Sequence, residues 1–69
     1  MKRVRLIKSL RALADAEQVA FVVVREGAKH ELWRFGDVMI PIPRHNEIVE
    51  RTAMSIIKQA RRAVEGETT

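Results

Sequence analysis

Residues 29–43 read KHELWRFGDVMIPIP, and this stretch predicts a β-hairpin. Alternation along 29–35 puts Glu31, Trp33 and Phe35 on one side of a strand, and apolar residues recur at every second position of 38–43. Gly36-Asp37 lies between the two runs and suits a two-residue turn of type II′ or I′. Two prolines in the second run cannot donate to a β-ladder, so we expect that strand at a sheet edge.

The rest of the chain predicts two helices and one more strand. An apolar stripe indicates a helix over 3–14, and the β-branched run over 19–24 indicates a well-covered strand. Thr52 is a plausible N-cap for a last helix that runs to about Val64. The stripe positions are Leu6, Ile7, Leu10, Leu13, Ala14, Ala53, Ile56, Ile57, Ala60 and Val64. The expected connections are 15–18, 25–28 and 44–51.

Together these elements predict one α+β domain over 1–65 in the order α-β-β-β-α, with a frayed tail at 66–69. Two helices are expected to cover one face of a three-stranded antiparallel sheet and to leave the other face open. The chain has no cysteine, which excludes disulfides and thiolate metal sites. Its longest apolar run is far too short for a membrane span and no signal peptide is visible, so we expect a cytoplasmic protein.

Basic side chains are concentrated in the first half of the chain. The net charge is +4, and residues 1–35 hold eight basic and four acidic side chains, whereas 36–69 hold five of each. Clustered cations favour a polyanionic partner, because binding releases counterions from phosphates. The alternative interpretation is that these basic side chains lie on a helix face that contacts only solvent. The candidate RNA contacts are Lys8, Arg11, Arg25, Lys29 and Arg44.

His30 is the candidate catalytic residue. It follows a glycine turn at the start of a strand, beside Lys29, and histidine is the side chain that exchanges protons near neutral pH. RNA cleavage needs a base for the 2′-hydroxyl and cations for the charge that develops on phosphorus. The alternative is a histidine with no chemical role. The only other imidazole, His45, is interpreted as a surface or loop-bracing residue, and a position beside bound phosphate is the alternative. Two histidines so spaced do not indicate a metal site.

Trp33 and Phe35 have two possible roles. They belong to the core if their face of the strand is buried, which is the preferred interpretation in so small a domain. They stack on bases if that face is open, as aromatic side chains do in single-strand readers.

Three blocks of sequence occur in order: GAKHELW at 27–33, IPRH at 42–45 and TAMSIIKQA at 52–60. In their order and spacing they resemble the HicA toxins of bacterial type II toxin–antitoxin systems, and the resemblance covers roughly residues 6–60. Ala20-Phe21 and Arg25 also fall at family positions. The chain departs from the family at Ala28-Lys29, where many relatives have Gly-Ser, and at Ala20 and Arg61, where glycine is common.

The resemblance implies a double-stranded-RNA-binding-domain-like fold and an mRNA interferase. Because the sequence has no metal-spaced ligand cluster, we expect an enzyme that is metal-independent and has no cofactor. The resemblance also implies that His30 is the catalytic residue and that a HicB-like antitoxin neutralises the protein. From the residues alone, two other functions stay open: a non-catalytic RNA-binding module of the same fold, and a subunit that only binds another protein.

Overall fold

In a computed structural model, which describes residues 1–65, the chain forms two helices and three strands in the order α-β-β-β-α. The strands form an antiparallel sheet in the order β1-β2-β3. The predicted α+β class and element order are confirmed, while the predicted tail at 66–69 lies outside the described residues. The elements are α1 (Arg3–Glu17), β1 (Phe21–Glu26), β2 (His30–Phe35), β3 (Val38–Pro43) and α2 (Glu50–Glu65).

The β2–β3 hairpin has the register that its sequence predicts. Phe35 pairs with Val38 across the Gly36-Asp37 turn, and His30 pairs with Pro43 at the open end. Gly36 has φ +61°, whereas Asp37 is not among the residues with positive φ. A type II′ turn requires positive φ at its first central residue alone, so this turn follows that pattern rather than type I′. β3 is an edge strand, as its two prolines predict.

Both helices pack on the same face of the sheet and enclose a small core. The α1 stripe and the α2 stripe are confirmed, since their central residues are buried and their flanking apolar residues pack against the core. Phe21 and Trp33 stack within this core, with ring centroids 4.5 Å apart. The buried residues of the described chain are Leu6, Leu10, Ala14, Phe21, Trp33, Phe35, Ile40, Ile42, Ile48, Ala53, Ile56 and Ala60.

Both helices are longer than the sequence predicts. α1 continues to Glu17, because its chain reverses only at Gln18, which adopts a left-handed conformation with φ 57°. The predicted connection at 15–18 is therefore mostly helical. α2 begins at Glu50, and Ala53 N–H donates to the Val49 carbonyl at 2.9 Å. Thr52 thus lies inside the helix, and its prediction as the N-cap is wrong.

The first strand differs most from its prediction. β1 spans Phe21–Glu26 rather than 19–24, and of its side chains only Phe21 is buried. Val22, Val23 and Val24 are 41–46% exposed, so the prediction of a well-covered strand is wrong. The physical reason is position: β1 is an edge strand, and the two helices cover a single face of the sheet. A register shift between Val23 and Arg25 also disrupts its pairing with β2.

Residues 1–3 and 46–48 run side by side and fasten the start of α1 to the segment before α2. Arg3 N–H donates to the Asn46 carbonyl and Ile48 N–H donates to the Met1 carbonyl, each at 2.8 Å. Much of the predicted loop at 44–51 is held in place by these bonds. They also fix the backbone of Arg3 at the end of the sheet where β2 begins.

Candidate functional site

His30 is the first residue of β2 and its side chain is exposed. Alternation along β2 puts it on the side opposite Trp33 and Phe35, which lie in the core. Within residues 1–65 its imidazole makes no hydrogen bond or ion pair. Both ring nitrogens are therefore open to an incoming molecule.

The turn before His30 is fixed by a close backbone approach. Gly27 N–H donates to the His30 carbonyl at 2.9 Å, and a Cβ added at Gly27 would lie 2.8 Å from that oxygen. This approach, rather than positive φ, requires glycine at position 27. Ala28 and Lys29 have ordinary negative φ values, so the turn does not need the second glycine that many HicA proteins have.

Arg44 holds the same turn from the end of β3. Its backbone N–H donates to the Lys29 carbonyl at 3.0 Å, and its Nη1 donates to the Gly27 carbonyl at 2.8 Å. The sequence predicts that Arg44 contacts RNA. The structure places it beside the His30 turn, where its side chain is exposed and its remaining N–H groups have no partner in the described residues. Its contact with RNA stays a prediction.

Glu31, the neighbour of His30 in β2, points to the helix side of the sheet and forms a small polar network. Its carboxylate pairs with the Arg3 guanidinium and accepts a hydrogen bond from Trp33 Nε1 at 3.1 Å. Arg3 Nε also donates to the Pro43 carbonyl at 2.8 Å. The network joins α1 to β2 and to β3 at the end of the sheet where His30 lies.

His30 contributes to a cleft of about 710 Å³ at the β3 edge of the sheet, which we call the His30 cleft. One side is formed by the prolines of β3 and the other by the first turns of α2. The cleft contains one charged side chain, Arg51, together with hydroxyl and amide groups, and none of its residues is acidic. Its residues are His30, Pro41, Pro43, Arg51, Thr52, Ser55, Ile56 and Gln59.

Arg51, Ser55 and Gln59 were not predicted as site residues. They are spaced four apart, which places them on one face of a helix. A spacing of four is enough to predict that these three residues share a helix face. With Thr52 predicted as the N-cap, however, Arg51 is predicted to lie before the helix and not on that face. The three residues line the same cleft as His30 because α2 packs against β3, and no local pattern in the sequence reveals that packing.

The predicted RNA contacts divide into two groups. Lys29 precedes His30 directly, and Arg25 pairs with Leu32, which puts its side chain on the open face of the sheet. Lys8 instead lines a separate cleft that contains Glu47 and Glu50. Arg11 lies over the Phe21 ring, 5.2 Å from its centroid. Neither α1 residue lines the His30 cleft, and the role of each in RNA binding stays a prediction.

Trp33, Phe35 and His45 do not line the His30 cleft. Trp33 is 7% exposed and Phe35 is fully buried, so both belong to the core and the base-stacking alternative is wrong. His45 lies in an exposed bend, and its side chain makes no hydrogen bond within the described chain. It is not among the residues that line the His30 cleft.

Residues 1–65 contain no group of three or more His, Asp or Glu side chains placed to hold a metal ion. No helix within these residues has the length and apolar character needed to cross a bilayer. Comparisons with protein-family models, curated proteins and solved structures gave no match for this chain.

Proposed function

We propose that this protein is an endoribonuclease that cuts RNA with His30 as its general base or acid. The observation that carries the proposal is the position of His30: its imidazole is exposed and unpaired in the described chain, in a cleft whose charged side chain is Arg51 and which contains no carboxylate. A cleft with this charge favours the phosphate groups of a nucleic acid over cationic ligands.

The proposed chemistry uses the 2′-hydroxyl of the RNA as the nucleophile. His30 accepts the proton of this hydroxyl as its oxygen attacks the adjacent phosphorus, and the bond from phosphorus to the 5′-oxygen breaks. The 5′-oxygen takes a proton from the imidazolium or from water, which leaves a 2′,3′-cyclic phosphate and a 5′-hydroxyl. Cations near the phosphorus stabilise the negative charge of the transition state. No metal ion or cofactor takes part in this proposal.

The proposed biological role is that of the toxin in a type II toxin–antitoxin system, acting on mRNA in the cytoplasm. It rests on the ordered blocks that resemble HicA toxins. The α-β-β-β-α order and the position of His30 directly after a glycine turn agree with what that resemblance implies. A double-stranded-RNA-binding-domain-like fold and a HicB-like antitoxin as partner are parts of the same proposal.

The test compares the two histidines. Purified wild-type protein is expected to degrade RNA in the presence of EDTA, and His30→Gln to lower the rate by about 10²–10⁴-fold, the usual contribution of a general acid or base. His45→Gln is the matched control, because His45 is also exposed and lies outside the cleft. We expect it to keep the wild-type rate. Cleavage that survives His30→Gln would reject the proposal.

The same variants separate a nuclease from a module that only binds RNA. Fluorescence anisotropy with a labelled RNA whose 2′-hydroxyls are methylated measures binding independently of cleavage, because such a strand has no nucleophile. We expect His30→Gln to keep its affinity for RNA while losing cleavage, because backbone binding rests mainly on cations. Wild-type protein that binds RNA but never cuts it would favour the non-catalytic module.

The open face of the sheet favours a protein partner in addition. Val22 and Met39 on this face are 43% and 47% exposed, Arg25 and Arg34 accompany them, and no carboxylate of the three strands points to this side. An acidic partner suits such a face. Co-expression with the product of the neighbouring reading frame tests the role: a toxin is expected to arrest growth alone and to co-purify with its antitoxin without arrest. A partner without any arrest would favour a subunit that only binds protein.

A further inference from the structure

Arg51 lies where two clefts meet. It lines the His30 cleft and also a groove along α2, which we call the α2 groove. The α2 groove has a volume of about 570 Å³ and, like the His30 cleft, contains no acidic residue. Its residues are Arg51, Met54, Ser55, Ile57, Lys58 and Arg61. The His30 cleft and the α2 groove therefore adjoin at Arg51, and the basic side chains of the groove lie on the exposed side of α2.

The Arg51 guanidinium binds no other side chain or backbone group in the described chain. Arg3 pairs with Glu31, Arg11 lies over Phe21, and Arg44 donates to the Gly27 carbonyl. Arg51, by contrast, is exposed and makes no ion pair or side-chain hydrogen bond within residues 1–65. It also stands in the first turn of α2, where a cation is unfavourable because it faces the positive end of the helix dipole. Its guanidinium is thus free to bind an anion.

We propose that Arg51 binds the phosphate at which the RNA is cut, and that Lys58 and Arg61 bind the following phosphates of the same strand as it continues along α2. This inference rests on the proposed function, because it takes His30 as the group that reacts. The planar guanidinium suits this task, since it donates two parallel hydrogen bonds to phosphate oxygens. Arg51 would therefore touch the reacting atoms, whereas Lys58 and Arg61 would only hold the strand.

The geometry of α2 sets the length of RNA that is recognised. Lys58 and Arg61 follow Arg51 by seven and ten residues, which places them about 10 and 15 Å farther along the helix axis at 1.5 Å per residue. This distance exceeds the span of one nucleotide. Met54, which is 57% exposed, and Ile57 add an apolar surface between the cations for bases that are not stacked in a duplex. The expected substrate is an extended single strand of several nucleotides.

The experiment measures kcat and KM on two RNAs: a dodecamer with a mapped cleavage site, and the tetranucleotide centred on that site. Arg51→Gln is expected to lower kcat by about 100-fold on both, as loss of one donor to a developing negative charge does. The double variant Lys58→Gln/Arg61→Gln is expected to raise KM about tenfold on the dodecamer and to leave the tetranucleotide unchanged. Arg62→Gln, which removes an equal charge from α2 outside both clefts, is the control and should match wild type. Circular dichroism checks that each variant keeps its helices.

The outcomes separate this inference from the proposed function. If His30→Gln is inactive while Arg51→Gln behaves like Arg62→Gln, the inference is wrong and the nuclease proposal stands. If wild type does not cut RNA, or cuts it without His30, the nuclease proposal fails, and anisotropy with a labelled 2′-O-methyl dodecamer, which needs no mapped site, then decides the role of Arg51. A loss of affinity in Arg51→Gln beyond that in Arg62→Gln supports Arg51 as a phosphate ligand, and equal affinities overturn it.

Discussion

At the level of single residues, the position of His30 depends on Gly27 and Arg44. Gly27 lets the backbone come within 2.9 Å of the His30 carbonyl, and Arg44 binds the carbonyls of Gly27 and Lys29. The histidine is held through its backbone, while its imidazole stays unpaired in the described chain. The proposed general base must be free to accept a proton, and the unpaired imidazole meets that requirement.

Gly27→Ala tests how far the turn depends on that close approach. The added Cβ would lie 2.8 Å from a backbone oxygen, which cannot move aside as a flexible side chain would. We expect a loss of about 1–3 kcal/mol in the free energy of unfolding, the usual cost of forcing an atom into occupied space. Urea denaturation followed by circular dichroism measures it.

The matched control is Ala28→Gly in the same turn. It introduces no contact and should cost at most about 1 kcal/mol, through the greater freedom of the unfolded chain. Equal losses in the two variants would show that the turn tolerates a side chain at position 27.

The sequence alone identifies His30 as a candidate site residue, but it does not identify Arg51. A histidine after a glycine turn at a strand start is visible in consecutive residues, and so are the blocks that resemble HicA. The cleft joins His30 to Arg51 and Ser55, which are more than twenty residues farther along the chain. Their proximity follows from the packing of α2 beside β3, and a one-dimensional pattern does not contain it.

At the level of elements, the ion pair of Arg3 with Glu31 joins α1 to the sheet. The side chains of Arg3 and Glu31 are only 21% and 15% exposed, so this is a partly buried pair rather than a surface one. Trp33 Nε1 donates to the same carboxylate, and Arg3 Nε donates to the Pro43 carbonyl. His30 and Pro43 are paired across β2 and β3. The network holds Pro43 through its carbonyl, and it holds the start of β2 through Glu31, the residue after His30.

Glu31→Gln is expected to lower the free energy of unfolding by about 1–3 kcal/mol, because it leaves a partly buried guanidinium without its counter-charge. Glu26→Gln is the control: Glu26 pairs with Glu31 across the strands but is exposed. Two carboxylates directly opposite each other repel, so this change should be neutral or slightly stabilising. Thermal and urea unfolding measure both. A loss in Glu26→Gln as large as that in Glu31→Gln would contradict the account.

A helix or strand can be predicted from the sequence when the pattern that defines it lies within neighbouring residues. The β2–β3 hairpin was predicted to within a residue, because alternation and the Gly36-Asp37 turn both act over neighbouring positions. β1 was misjudged, because a continuous run of valines is equally compatible with burial on two faces and with exposure at an edge. The start of α2 was misjudged because an apolar residue, Val49, occupies the position before the helix, where a polar cap is usual.

At the level of the whole molecule, both helices lie on one face of the sheet, and two separate surfaces remain exposed to solvent. One is the open face, with the exposed side chains of Val22, Met39, Arg25 and Arg34. The other is the path from the His30 cleft into the α2 groove. In the proposed function, the first surface binds the antitoxin and the second binds the RNA strand, and alternation along β2 places His30 on the open-face side of the sheet.

The proposal that His30 acts on the 2′-hydroxyl of RNA is tested by the cleavage rate of the dodecamer after a single 2′-deoxynucleotide replaces the ribonucleotide at the mapped site, with EDTA present throughout. We expect cleavage at this site to cease while binding measured by anisotropy is kept, because only the nucleophile has been removed. Cleavage of the deoxy-substituted strand at the unmodified rate would show that the 2′-hydroxyl is not the nucleophile.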